Sequence, residues 1–166
     1  EEEYFGSVNC FSERACYSEG KRISETLLFN YKNLYNLDIR VARIFNTYGP
    51  RLSLKDGRVI TSFINSILNN QPLIIYGDGN QTRSFCYISD MVNGLIKLMD
   101  SDYDKPINLG SNYEIKINDL ANIISNKINK SIRVEYRKKI DGDPKRRKPC
   151  LKKAYDNLGW KSVISL

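Results

Sequence analysis

The sequence predicts an α/β fold from three observations. Residues 14–36 carry apolar side chains at helical spacing. Residues 38–44 form a β-type run that is apolar on both faces. From there to the end, helix patterns alternate with short apolar strands punctuated by Gly, Pro and Asn.

Residues 1–13 form an irregular lead-in without periodicity. The helix after it places Leu27, Leu28, Tyr31, Leu34 and Tyr35 at helical spacing, with Lys21, Arg22, Glu25 and Lys32 among them. Leu37, Ile39, Val41 and Ile44 then describe a buried parallel strand. Residues 46–51, Asn-Thr-Tyr-Gly-Pro-Arg, are a turn by composition, at the carboxyl end of that strand where open α/β sheets bind ligands. Residues 57–70 are a helix with Val59, Ile60, Phe63, Ile64, Ile67 and Leu68 on its apolar face. Residues 73–76 are a strand stopped by Gly77-Asp78-Gly79-Asn80, and 84–88 are extended. Ser89-Asp90 caps a helix carrying Val92, Leu95, Ile96, Leu98 and Met99, and 106–110 are another strand. Asn118-Asp119 caps a helix with Leu120, Ile123, Ile124 and Ile128. A strand at 132–136, a basic loop and a last helix at 151–158, ended by Gly159, complete the chain.

The 166 residues suffice for one domain with a core, and 41% hydrophobic with 27% charged residues is ordinary for a soluble protein. No apolar run is long enough to span a bilayer and the start is acidic, so the expectation is a soluble cytoplasmic chain with no membrane partner. Histidine is absent and the four cysteines lack ligand spacing, which argues against a zinc site and against Ser-His or Cys-His nucleophiles. Reduced thiols are expected. Chemistry is left to Tyr, Lys, Arg, Asp, Glu and hydroxyls. The net charge of +7 favours anionic partners. Its densest part, Arg137-Lys138-Lys139 and Lys145-Arg146-Arg147-Lys148, lies in a loop broken by Gly142 and Pro144, without a DNA-reading helix or RNA-stacking motif. A phosphorylated small molecule suits it better than nucleic acid; a plain solvated loop is the other reading.

Tyr17 and Lys21 stand one helical turn apart on one face, and Tyr17 is the only tyrosine with lysine at that offset. An ammonium beside a phenol favours the phenolate, lowering a tyrosine from about 10 by roughly one to three units. That would make Tyr17 an acid/base near neutral pH. An exposed helix with a surface tyrosine would carry the same pair, so its meaning depends on the residues beyond the helix.

Several linked pieces supply that context: Arg14-Ala15-Cys16-Tyr17-Ser18-Glu19-Gly20-Lys21-Arg22, Arg40 through Arg51, Asp56-Gly57-Arg58-Val59-Ile60, Tyr76 through Phe85, and Asn108-Leu109-Gly110. Together they resemble extended short-chain dehydrogenase/reductases acting on nucleotide sugars, and among them the UDP-glucuronate decarboxylases, from about Tyr4 onward. The resemblance implies the carboxyl-terminal part of an extended Rossmann-like fold: a catalytic helix, the last parallel strands and a small substrate lobe. It also implies NAD as cofactor, a UDP-sugar as substrate and a homodimer for the complete enzyme. The glycine-rich dinucleotide loop of such enzymes has no counterpart in these residues, because Gly77 and Gly79 lack a third glycine and a helix start. The expectation is therefore that the NAD-binding half is missing and that the chain alone is inactive. A related epimerase or 4,6-dehydratase half, and a non-catalytic UDP-sugar-binding or assembly module, are the alternatives.

By resemblance, Tyr17 is the proton acceptor at the sugar C4 hydroxyl, and Lys21 supports it and contacts the nicotinamide ribose. Arg58 stands near the reaction centre, in contact with substrate, or else is a surface arginine at a helix start. Asn46, Arg83, Arg147 and Tyr31 are implied substrate contacts, against readings as a turn asparagine, a solvated strand edge, a loop cation and a core aromatic. Thr47 approaches the cofactor. Cys150 replaces the aspartate that many such enzymes carry, which touches the anchoring of the loop.

Overall fold

A computed structural model describes residues 9–12, 15–131, 133–140 and 142–166. The predicted alternation is present. Helix α1 spans Ala15–Tyr35, followed by β1 (Ala42–Ile44), β2 (Thr47–Tyr48), α2 (Val59–Leu68), β3 (Leu73–Tyr76), β4 (Thr82–Ser84) and β5 (Cys86–Tyr87). Then come α3 (Ile88–Met99), β6 (Ile107–Leu109), β7 (Glu114–Lys116), α4 (Ile117–Ile128), β8 (Val134–Arg137), β9 (Arg146–Arg147) and α5 (Lys152–Leu158). β1 pairs with β6, β2 with β5 and β3 with β8, all parallel, while β4 lies between antiparallel β7 and parallel β9.

Two apolar cores organise these pieces. In the first, Phe63 and Ile67 of α2 meet Leu73 and Ile75 of β3, Ile115 of β7 and Leu120 of α4. In the second, Met91 and Leu98 of α3 meet Ile107 and Leu109 of β6, Ala154 and Leu158 of α5, and Trp160. Asp90 ties the end of the chain to the second core. Its carboxylate accepts the Val163 and Ile164 amides at 2.8 Å, and its carbonyl accepts the Trp160 indole N–H at 3.0 Å. Tyr48 donates to the Ser165 carbonyl at 3.2 Å, and Leu166 rests on the first core, so residues 160–166 strap one core to the other.

Several expectations need correction. The strand at 38–44 pairs only over Ala42–Ile44. Its partner β6 begins at Ile107, whose amide donates to the Val41 carbonyl at 3.0 Å and closes the ladder at that end. Arg40 instead donates to the Ser101 carbonyl at 2.7 Å. The expected turn at 46–51 contains β2, whose Thr47 and Tyr48 stand opposite Cys86 and Tyr87. The helix predicted over 57–70 is shortened by Gly57 and Asn70, both at positive φ. Ser89-Asp90 and Asn118-Asp119 are not caps: α3 and α4 start at Ile88 and Ile117 without a side-chain cap. Each pair lies in the first turn because a strand leads straight into the helix. β7 and β9 are unforeseen strands, too short to show period-two alternation. Ile132 of the predicted 132–136 strand, and the lead-in up to residue 8 with residues 13 and 14, lie outside the described residues.

Gly94 of α3 lies directly against the indole of Trp160. A Cβ there would stand 2.8 Å from Cε2, and the ring, 2% exposed, has nowhere to go. In an open helix Gly→Ala stabilises by up to ~1 kcal/mol. Here the overpacking prevails, and Gly94→Ala is expected to destabilise the fold by ~1–3 kcal/mol in urea unfolding. A neutral or stabilised variant would show that the indole yields.

Candidate functional site

Helix α1 presents the Tyr/Lys pair as the spacing predicts. The Lys21 ammonium stands 5.6 Å from the Tyr17 ring centroid, within cation–π range, and both side chains are exposed, Tyr17 by 60%. Among the described residues, two ion pairs reach from α1 to the body of the fold. Glu25 accepts Arg43 Nε at 2.7 Å and Nη2 at 2.8 Å, and Lys32 meets Asp104 at 2.6 Å. Asp104 is held below the usual carboxylate range by that lysine. Tyr31 is exposed and tilts against Tyr35 at 5.3 Å, so it is not a core aromatic.

Asn46 and Thr47 sit where β1 hands over to β2. Asn46 donates to the Ser84 carbonyl at 3.1 Å, and Thr47 donates to the Phe45 carbonyl at 3.0 Å, so both side chains bond backbone. Ser84 itself is fully buried, and its hydroxyl makes no hydrogen bond among the described residues. Arg58 precedes α2 and pairs with Asp56 at 3.0 Å while 63% of its side chain faces solvent. Asp56 also accepts the Arg58 amide and the Thr61 hydroxyl, and these bonds, the amide foremost, depress its carboxyl.

Arg83 and Arg147 stand opposite each other across β4 and β9. Arg83 is no solvated edge residue: it is 8% exposed, donates to the Thr82 carbonyl and reaches Asp143 at 2.6 Å. Beside it Arg146 makes a two-pronged contact with Glu114 at 2.8 and 2.9 Å, and Thr82 adds a third bond. Arg146, then Thr82, pull the Glu114 carboxyl below its ordinary 4.5. Lys148, Pro149 and Cys150 border, with Arg146, a cleft of about 330 Å³. The Cys150 carbonyl accepts Asn108 Nδ2 at 3.2 Å, so a backbone group anchors the loop at this position.

The candidate residues thus fall on two regions, the α1 face and the β4–β9 edge, with Asn46, Thr47 and Arg58 on segments of their own. Glu25, Arg43, Glu114 and Asp143 escaped the sequence reading. Glu25 was within reach of it, one turn past Lys21 on the same face.

The Epimerase model, for the NAD dependent epimerase/dehydratase family, matches residues 1–110. The chain belongs to this family. UDP-glucuronic acid decarboxylase 5 of Arabidopsis thaliana is 46% identical over 165 residues, 99% of this chain and 48% of the plant protein. UDP-glucuronic acid decarboxylase 1 of Xenopus tropicalis is 45% identical over 99% of this chain and 39% of its own length. The chain spans about half the length of the plant relative, or less of the frog one. Among solved structures, UDP-glucuronic acid 4-epimerase from Bacillus cereus, in complex with UDP-glucuronic acid and NAD, superposes with a TM-score of 0.85 at 27% identity. That superposition covers 97% of this chain and 54% of the epimerase. The Rossmann-like α/β class follows from these neighbours.

How the described residues suit the family's NAD is decided by two places. The exposed Tyr17/Lys21 face suits a nicotinamide ribose. The Gly77–Gly79 turn does not suit a pyrophosphate, because a Cβ on Gly79 would stand 2.0 Å from Asn118 Oδ1, so α4 already fills the space. All four cysteines are free thiols. Among the described residues no cluster of acidic or thiol side chains could hold a metal, and no helix is long and apolar enough to cross a membrane.

Burial, then the charge of Asp90, pushes the Cys86 thiol up to about 11. At pH 8, iodoacetamide is expected to alkylate exposed Cys10 and Cys16 and to leave Cys86 intact, as read by peptide mass spectrometry. Because the folded-state Glu114 value is depressed, its bonding favours the fold above 4.5 and is lost as pH falls through that lower value. A carboxyl NMR titration should find the Glu114 midpoint below 4.5, and Arg146→Gln should move it upward.

Proposed function

We propose that these residues supply the Tyr/Lys helix and substrate lobe of an NAD-dependent UDP-glucuronate decarboxylase, forming UDP-xylose and carbon dioxide. The observation that carries the proposal is the Lys21 ammonium over the Tyr17 ring on an exposed helix face. The 46% identity to the plant decarboxylase supports the choice of reaction.

Bound NAD would supply a reversible hydride acceptor for sugar C4. Tyr17, as phenolate, takes the C4 hydroxyl proton, and Lys21 stabilises that charge and holds the ribose. Once C4 is a ketone, the uronate is a β-keto acid. Its C5–C6 bond breaks, carbon dioxide leaves, and the electron pair moves into the C4 carbonyl as an enolate. A proton would add at C5, and Tyr17 would give its proton back to the C4 oxygen as C4 returns to an alcohol. Atoms and electrons balance without net oxidation.

Arg58 would serve the substrate carboxylate or relay a proton, leaving Asp56 to do so. Arg147 would approach the diphosphate, with Arg83 beneath it fixing the loop through Asp143. Tyr31 and Asn46 complete the proposed substrate contacts, and Thr47 the cofactor's. The pyrophosphate cradle is proposed to lie outside these 166 residues. Pairing of two copies through α1 belongs to the same reading, since Phe29, Leu34 and Tyr35 are exposed.

The test is a chimera carrying the amino-terminal half of the plant relative ahead of this chain, supplied with NAD and UDP-[¹³C]glucuronate. Labelled carbon dioxide and UDP-xylose are expected, and Tyr17→Phe should slow their release at least ~100-fold. UDP-galacturonate in their place would favour the epimerase reading. The chain by itself is expected to bind NAD no more tightly than about millimolar by calorimetry and to release no carbon dioxide. Turnover by the chain alone would overturn the proposed division.

A further inference from the structure

Arg43 and Glu25 lie outside the proposed chemistry, yet they meet on the same face of α1 that carries it. Tyr17, Lys21 and Glu25 succeed one another at four-residue steps, and Lys32 lies two turns beyond Glu25. At about 100° per residue these four side chains fall within roughly 80° of the helix circumference. Among the described residues, both ion pairs from α1 to the body of the fold, Glu25–Arg43 and Lys32–Asp104, therefore lie in line with the Tyr/Lys pair.

Within a single copy of these residues, apolar packing does little to fix this helix. Ala15 is the one buried residue of α1, while Ile23, Leu27, Phe29, Leu34 and Tyr35 face solvent. Before the proposed pairing covers that face, a helix so lightly packed can roll about its axis, and a roll of one residue turns Tyr17 by about 100°. A single point charge would tolerate that roll. A planar guanidinium gripping both carboxylate oxygens would not, because the fork fixes direction as well as distance. The Glu25–Arg43 contact has that form, at 2.7 and 2.8 Å, with about a quarter of each side chain exposed. Arg43 is in β1, three residues before Asn46, so the clamp refers the helix to the strand that leads into Asn46 and Thr47.

We infer that Arg43 and Glu25 are positioning residues that set the rotation of α1 and thereby where Tyr17 and Lys21 point. The inference rests on the reading of Tyr17 and Lys21 as the reactive pair. Lys32–Asp104 contributes a second attachment further along, at an exposed and more adaptable lysine.

The test uses the whole chain and does not need turnover. Amide hydrogen exchange is followed helix by helix, and the Tyr17 ring by [¹³Cζ]tyrosine NMR, assigned with Tyr17→Phe. Arg43→Gln and Glu25→Gln should each speed exchange in α1 by roughly tenfold or more, with α2 to α5 unchanged, and should shift the Tyr17 resonance. Arg43→Lys keeps the charge without the fork and should behave like Arg43→Gln. The exchanged pair Glu25→Arg with Arg43→Glu should bring both signals back toward the wild type. Unchanged α1 exchange, an unmoved Tyr17 resonance, a wild-type-like Arg43→Lys, or loosening spread over all helices would each overturn the inference. A chimera without decarboxylase activity would remove the proposed reaction and leave the clamp to be judged by these signals alone.

Discussion

The backbone of residues 42–48 changes partner part-way along, and most of the architecture stems from that change. Ala42 through Ile44 pair with β6, and Phe45 still donates to the Leu109 carbonyl. At Asn46 the allegiance switches: its carbonyl accepts the Cys86 amide, and Thr47 and Tyr48 pair with β5. Where the two ladders part, the Ser84 carbonyl would lose its partner, and the Asn46 side chain supplies one. A buried acceptor left open costs about 1–3 kcal/mol, which explains an amide at this place without reference to any ligand. The same switch carries the chain from the second core, at β6, to the first, at Tyr48. Arg43, ahead of the switch, orients α1. The proposed reactive pair and the candidate turn residues thus answer to one segment of seven residues.

Periodicity made the helices and β3 legible because each is long enough, or apolar enough, to declare itself. The strands that escaped are two or three residues long, and their existence depends on the neighbour rather than on their own side chains. Glu114–Lys116 is a strand because Thr82–Ser84 offers an edge to it, and Arg146–Arg147 because β4 has a second edge to fill. No window of β7 or β9 alone carries that information. The missed caps have a similar cause. Ser89 and Asn118 are good N-cap residues by propensity, but the strands before them run into the helix without a turn, which leaves no capping position. The Asn118 side chain donates to the Asp78 carbonyl instead and closes the Gly77–Gly79 turn.

The candidate site was legible in kind but not in pairing. Tyr17 and Lys21 could be paired from spacing alone, since an isolated helix fixes the relation of residues four apart. The basic loop was read by counting charges, and a count does not see partners. Arg83 meets Asp143, Arg146 meets Glu114, and Arg137 meets Glu135, each within 3 Å. These carboxylates lie 60, 32 and 2 residues away in sequence, so two of the three pairings are products of the fold. The cationic face offered to an anion is accordingly narrower than the composition suggests.

That narrowing changes what the arginines can be asked to do. An exposed guanidinium exchanges partners at smaller cost, and Arg58 is of this kind: 63% of its side chain reaches solvent, and Asp56 keeps the Arg58 amide and the Thr61 hydroxyl when the guanidinium leaves. Arg83 is different, since 10% of its side chain and 19% of that of Asp143 reach solvent. Freeing it would break a charge-assisted hydrogen bond of 2.6 Å in a mostly dry place. Arg83 is therefore suited to hold the loop of residues 142–148 in place. Burial, which a sequence does not display, separates an arginine that binds from one that builds the place of binding.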